Sequence, residues 1–206
     1  MEKKLTFVRS LSECVCIFES NNLSVHQSNE ALFDNDDFVE ILVRWRNKNA
    51  KYFVTQIPTN SIKTKAWLKA NFKDGGANTL FVISDRLENR VAGHVGISEK
   101  ENHPGCFEIH SVLRGEKTSV NFLMQDALSE TLNYCQRSLG GRVFFADCFE
   151  TSKAAISLYK RLKFKERGFV YLIKTPVSGG HKWVKSDVNE DGCIRMYHLE
   201  LNMEPK

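Results

Sequence analysis

Between Cys106 and Phe164 the chain reads strand, helix, strand, helix, and this order constrains the fold more than any other feature. "CFEIHSVL" is rich in β-formers, and residues 118–138 place Val120, Leu123, Met124, Ala127, Leu128 and Cys135 on one helical stripe, with Thr118 and Ser119 as caps. The apolar "RVFFADCF" then reads as a buried strand, and "ETSKAAISLYKRLKF" sets Ala155, Leu158, Tyr159 and Leu162 at helical spacing. Two strands joined through a helix lie parallel in one sheet.

The flanking segments predict antiparallel pairing around that crossover. "LTFVRS", "CVCIFES" and "LSVHQ" suit strands, and from Asp36 the residues Phe38, Ile41, Leu42 and Trp45 recur as a helix led by acids. "IPTNSIKTKAWLKANF" opens on Pro58 with cap candidates Thr59, Asn60 and Ser61, and "DGG" closes this second helix. "TLFVIS" and "RVAGHVGIS" read as a hairpin, while "FVYLIKTPV" and "CIRMYHLELN" close the chain around a polar loop, 178–191, that either covers a substrate or is a surface loop. The expected fold is α/β of the α+β type, a mixed, mostly antiparallel sheet flanked by helices. One domain is expected over 1–206: an N-terminal extension to about 35, a core over 36–172, and a closing loop and strand over 173–206.

The 206 residues, 42% hydrophobic and 26% charged, are enough for one soluble domain with a real core. The net charge of +4 comes from 29 basic and 25 acidic residues scattered along the chain, which suits a small anionic ligand and not a nucleic-acid arm. Six cysteines without a C-x-x-C pair suggest buried thiols in a reducing cytoplasm. Arg9 and Glu13 interrupt the apolar N-terminal run, so neither a signal peptide nor a membrane span is expected. The sequence leaves a homodimer open.

Period-two alternation puts Phe107, Ile109 and Ser111 on one face of "CFEIHSV" and Cys106, Glu108, His110 and Val112 on the other. Glu108 and His110 therefore share a face, either as an exposed polar surface or as a base in a cleft, and His94 is a candidate for the same cleft. "LRGEKTS" carries Arg114 and Lys117 into a helix N-terminus, a setting open to phosphate but equally to an ordinary loop. Tyr159 is either packing or a proton donor. No serine elbow, activated cysteine or metal-ligand spacing occurs.

Together these elements resemble the GCN5-related N-acetyltransferase (GNAT) superfamily over roughly residues 36–172. The carriers are "EIHSVLRG", the helix after it, and "SKAAISLYKRLKF", which is similar to the superfamily's Asn-x-x-Ala-x-x-x-Tyr-x-x-x-Gly-Phe signature. "VRWRN", "TKAWLKANF", "LFVIS" and "VAGHVGI" resemble the branch that acetylates nucleotide-linked amino sugars, alongside related protein N-terminal acetyltransferases. The resemblance implies a V-shaped splay between "EIHSVL" and "RVFFADCF" holding acetyl-CoA as co-substrate, without a metal. Ser111, Val112 and Leu113 would pair with its pantetheine, while Arg114, Gly115, Lys117, Thr118 and Ser119 would meet its pyrophosphate. Ser152 stands at the signature's Asn position and Lys163 at its glycine, and the loop keeps only the first glycine of R-x-x-G-x-G/A. Glu108 or His110 would deprotonate the amine, Tyr159 would protonate the departing thiolate, and Trp45, Arg46, Asn47, His94 and Trp183 would border the acceptor. The implied substrate is a nucleotide-linked amino sugar of a surface-glycan pathway. The alternatives are a protein N-terminus or another small amine, or a non-catalytic acyl-CoA-binding module.

Overall fold

The structure is a computed structural model describing residues 11, 13–72, 78–187 and 189–204. "LTFVRS" and "DGG" lie outside the described residues. In chain order the elements are β1 (Val15–Glu19), β2 (Leu23–Gln27), α1 (Glu30–Asp34), α2 (Asp36–Lys48), β3 (Thr55–Gln56), α3 (Ser61–Asn71), β4 (Asn78–Asp85), β5 (Arg90–Glu99), β6 (Cys106–Arg114), α4 (Leu123–Leu139), β7 (Val143–Phe149), α5 (Lys153–Arg161), β8 (Lys165–Val177), β9 (Gly180–Ser186) and β10 (Ile194–Asn202). Asparagine side chains start the first three helices: Asn29, Asn35 and Asn60 each accept an N–H of the first turn.

The strands form one sheet in the order β1-β2-β4-β5-β6-β7-β10-β8-β9-β3. Among the described strands only β6 and β7 run parallel, joined through α4. β4 shows why the core lies on both faces. Its Phe81 and Ile83 pack toward α4, with Leu123, Ala127, Leu128 and Leu132, whereas Leu80 and Val82 pack with Phe33, Phe38, Leu42 and Trp45 from α1 and α2. No helix among the described residues is long and apolar enough to cross a membrane.

Three sequence expectations need correction. Helix α4 starts at Leu123, not at 118, because Phe122 takes a left-handed conformation (φ 57°) and the chain before it remains irregular. The polar loop 178–191 contains a strand: β9 pairs with β8 on one side and β3 on the other, so Trp183 sits in the sheet. The alternation along β6 also breaks. Ser111 has φ +50°, and the β5 partners step from Gly96↔His110 to His94↔Leu113, which inserts a bulge. Val112 consequently packs with Phe107 and Ile109 on the α4 side, and Leu113 turns to the Trp45 side.

Candidate active site

The bulge coincides with an opening in the sheet. β6 and β7 pair from Cys106↔Val143 to Ile109↔Ala146 and then part, while β7 stays paired to β10 as far as Phe149. His110 to Arg114 on one side and Asp147 to Phe149 on the other therefore line a V-shaped splay whose β6 backbone lacks a β7 partner. Such an unpaired strand edge can bond an extended ligand through its main chain.

Beside Ser111 lies a cavity of about 200 Å³, bordered by Leu42, Arg46, Phe53, Thr59, Thr64, Trp67, His94, Ser111 and Leu113. Among the described residues, no carboxylate borders it. Arg46, at the end of α2, is fixed by two contacts: its guanidinium lies 3.6 Å above the Phe53 ring, and Nη2 donates to the Thr55 carbonyl. Nη1 is buried without a partner among the described residues, and burial lowers the guanidinium pKa to about 10. His94 is buried and stacks at 6.2 Å on Trp45. Burial brings its imidazole down to about 4, opposed by the nearby Ser111 backbone, and Nδ1 has no partner among the described residues.

The other expected residues fall in three places. Glu108 is exposed, pairs with Ser98 on β5, and does not border the cavity. His110 lies between the backbone of Gly96, where a Cβ would come within 2.5 Å of the imidazole, and the Phe72 ring at 5.8 Å. Its Nδ1 is 3.1 Å from Ser111 Oγ, and burial lowers its pKa. Glu108 and His110 thus share a face, as alternation predicts, but occupy different surroundings. Trp45 is only 1% exposed and belongs to the core; its indole N–H donates to Glu116 Oε1 at 2.8 Å and, with Arg44 beside it, holds that carboxyl below the usual range. Asn47 forms a reciprocal pair with the Thr59 backbone, fixing the segment that leads to α3.

In the loop after β6, the N–H groups of Gly115 and Glu116 both donate to the Ala92 carbonyl, and that of Ser119 to Glu88 Oε1 at 3.4 Å. Lys117 and Thr118 have N–H groups that make no hydrogen bond among the described residues. Arg114 Nε donates to the Glu116 carbonyl. On β7, Asp147 and Cys148 stand just past the last β6 pair, and both raise the pKa of the Tyr159 hydroxyl beyond the effect of burial. Tyr159 is 4% exposed and meets Phe164 edge-on at 5.2 Å. Ser152 is the residue before α5 but makes no side-chain cap. Trp183 packs 6.0 Å from Phe149, with its indole N–H buried and without a partner among the described residues. Lys163, at the signature's glycine, has φ +68°, a conformation costing an L-residue about 1–2 kcal/mol. Lys163→Gly is accordingly expected to raise the melting temperature by a few degrees, read by calorimetry.

Sequence reasoning missed Phe53, Thr59, Thr64 and Trp67 as cavity walls. Trp67 was open to discovery: a tryptophan among lysines, 38% exposed, stands out on a weakly amphipathic helix. Among the described residues, no three of His, Cys, Asp and Glu cluster as metal ligands.

The acetyltransferase (GNAT) domain family matches residues 31–165, most of the chain. The chain belongs to the GNAT acetyltransferase family. No curated protein sequence matches it. The solved structures it resembles include RimL, a ribosomal L7/L12 alpha-N-protein acetyltransferase, at 14% identity and TM-score 0.69, covering 92% of this chain and 95% of that one. A coenzyme A complex of RimL gives 16% identity and TM-score 0.67, covering 89% and 97%. The ribosomal-protein-S5-alanine acetyltransferase of Vibrio fischeri gives 14% and TM-score 0.66, covering 93% and 99%. As a GNAT acetyltransferase the chain uses acetyl-CoA as co-substrate. Its splay, with an unpaired β6 edge and two unengaged loop N–H groups, offers the donors and acceptors that an amide-bearing, phosphate-ended thioester requires.

Proposed function

We propose that this GNAT enzyme transfers the acetyl group of acetyl-CoA to the amino group of a nucleotide-linked amino sugar in surface-glycan synthesis. One observation carries the reading: Arg46 borders a cavity to which the described residues contribute no carboxylate, and its buried Nη1 has no partner among them. A half-desolvated guanidinium needs an anion, and a diphosphate supplies one in the fork geometry that arginine prefers. Trp67 offers a ring face for the sugar or base. Incubation with acetyl-CoA and UDP- or dTDP-linked amino sugars should release free thiol with at least one of them. Silence across the panel, with peptides active, would discard the reading.

Arg46→Met is expected to raise the acceptor KM about 10- to 100-fold, the loss of one charge-assisted contact, with the acetyl-CoA KM unchanged. A second reading, acetylation of a protein N-terminus, is favoured by the ribosomal-protein acetyltransferases among the similar structures. For that acceptor Arg46→Met should have little effect, and mass spectrometry of peptides would find the product. Ser152 and Lys163 motivate a third, a non-catalytic module, for which calorimetry would show CoA binding without turnover on any amine.

A further inference from the structure

The loop that follows β6 is anchored from one side. β6 pairs with β5 along one edge, and beyond Ile109 its other edge opens on the splay. Among the described residues, the hydrogen bonds that tie the loop backbone to other segments all run to the β5 side. The N–H groups of Gly115 and Glu116 share the Ala92 carbonyl. Arg90, the first residue of β5, donates from Nη2 to the Lys117 carbonyl, and Glu88, in the turn before β5, accepts the Ser119 N–H at 3.4 Å. The two side chains brace each other, with Arg90 Nη2 2.6 Å from Glu88 Oε2.

Peptide geometry turns this anchoring into a direction. The Lys117 carbonyl and the Thr118 N–H belong to one planar peptide unit, and across a trans bond the two point opposite ways. Drawing the carbonyl to Arg90 on the β5 side therefore aims the Thr118 N–H at the other side, where the splay lies. That N–H makes no hydrogen bond among the described residues, and Thr118 is only half-buried. Lys117, Thr118 and Ser119 stand where glycines would leave the backbone free to reorient, so its direction is set from outside the loop.

We propose that Arg90 is the positioning residue of the cofactor loop: by holding the Lys117 carbonyl it presents the Thr118 N–H to the pyrophosphate of acetyl-CoA. Arg90 acts through the loop and not on the phosphate, since Lys117 and Glu88 already engage its guanidinium. The inference rests on acetyl-CoA lying with its phosphates at this loop and is indifferent to the acceptor.

Calorimetric titration of the intact protein with CoA, and with dephospho-CoA, which lacks the ribose phosphate but keeps the pyrophosphate, tests it. Arg90→Met should weaken both ligands about tenfold, the loss of one well-aimed hydrogen bond to a charged group. Arg90→Lys keeps the charge but not the planar fork that grips Lys117 and Glu88 together. It should stay about threefold or more weaker than the parent even at high salt, where long-range attraction is screened. Full recovery with lysine, or a loss that vanishes as salt is raised, would make Arg90 a simple charge and overturn the proposal. So would a loss confined to CoA, which would move the contact to the ribose phosphate, or an unchanged affinity with a lowered melting temperature, which would leave Arg90 a structural tie. Amide 15N NMR reads the atom itself: CoA should shift the Thr118 resonance strongly in the parent and much less in CoA-saturated Arg90→Met. A Thr118 amide that ignores CoA in the parent refutes the assignment whatever the affinities do. A parent that binds no CoA would sink the co-substrate assignment and this proposal with it.

Discussion

Tyr159→Phe is expected to lower the turnover rate by about 10²- to 10⁴-fold, the usual range for loss of a general acid, while acetyl-CoA binding changes little. The expectation is built from position first. Tyr159 lies on α5 with its ring against Phe164, and its hydroxyl feels Asp147 and Cys148, the β7 residues just beyond the last β6 pair. That is the opening of the splay, where a departing thiolate would need a proton. Burial and these neighbours raise the hydroxyl's pKa, so it stays protonated through the neutral range and any alkaline loss of rate belongs to another group. A structural role would give a different pattern. Phenylalanine fills the same volume, and removing a hydroxyl that makes no hydrogen bond among the described residues should leave the melting temperature level or slightly higher. Single-turnover kinetics with calorimetry of acetyl-CoA binding separate the possibilities. A normal rate in the variant removes Tyr159 from the chemistry.

The sequence made the sheet legible but only half of the site. β4 could be read because an apolar run flanked by a hairpin signal has few alternatives, and α2 because its stripe of Phe38, Ile41, Leu42 and Trp45 also happens to be its buried face. The parallel pairing of β6 and β7 followed from the strand-helix-strand order, and the splay from the resemblance to the GNAT superfamily. The bulge could not be read: Ser111 adopts a left-handed φ without the glycine or asparagine that normally announces one, so alternation carried Val112 to the wrong face. Phe53, Thr59 and Thr64 were invisible for a different reason. They come from the irregular segment between α2 and α3 and from the start of α3, and the reciprocal bonds of Asn47 with Thr59 hold that segment in place through contacts twelve residues apart. β9 was hidden by its polar composition, since both of its neighbours supply backbone pairing that side chains do not advertise.

Gly115→Ala is expected to destabilise the fold by at least the 1–3 kcal/mol typical of overpacking, and it addresses why the first loop glycine survives when the later one does not. A Cβ at this position would lie 1.9 Å from Trp45 Cδ2 and Cε2, far inside contact. The indole cannot retreat readily. Its N–H is held by Glu116, His94 stacks on it, and Phe38 and Leu42 pack in the same cluster. The glycine is thus required by protein packing, independently of any phosphate. A double-mutant cycle tests this. In a Trp45→Leu background, itself costing a few kcal/mol, Gly115→Ala should cost much less, giving a coupling of about 1–3 kcal/mol by denaturant unfolding. Additive costs would show that the glycine answers to something else. The same cycle has a functional side. Any movement of the indole displaces His94 across the cavity, so Gly115→Ala should weaken the acceptor KM in step with the loss of stability, and Trp45→Leu should suppress the further effect of the alanine on both.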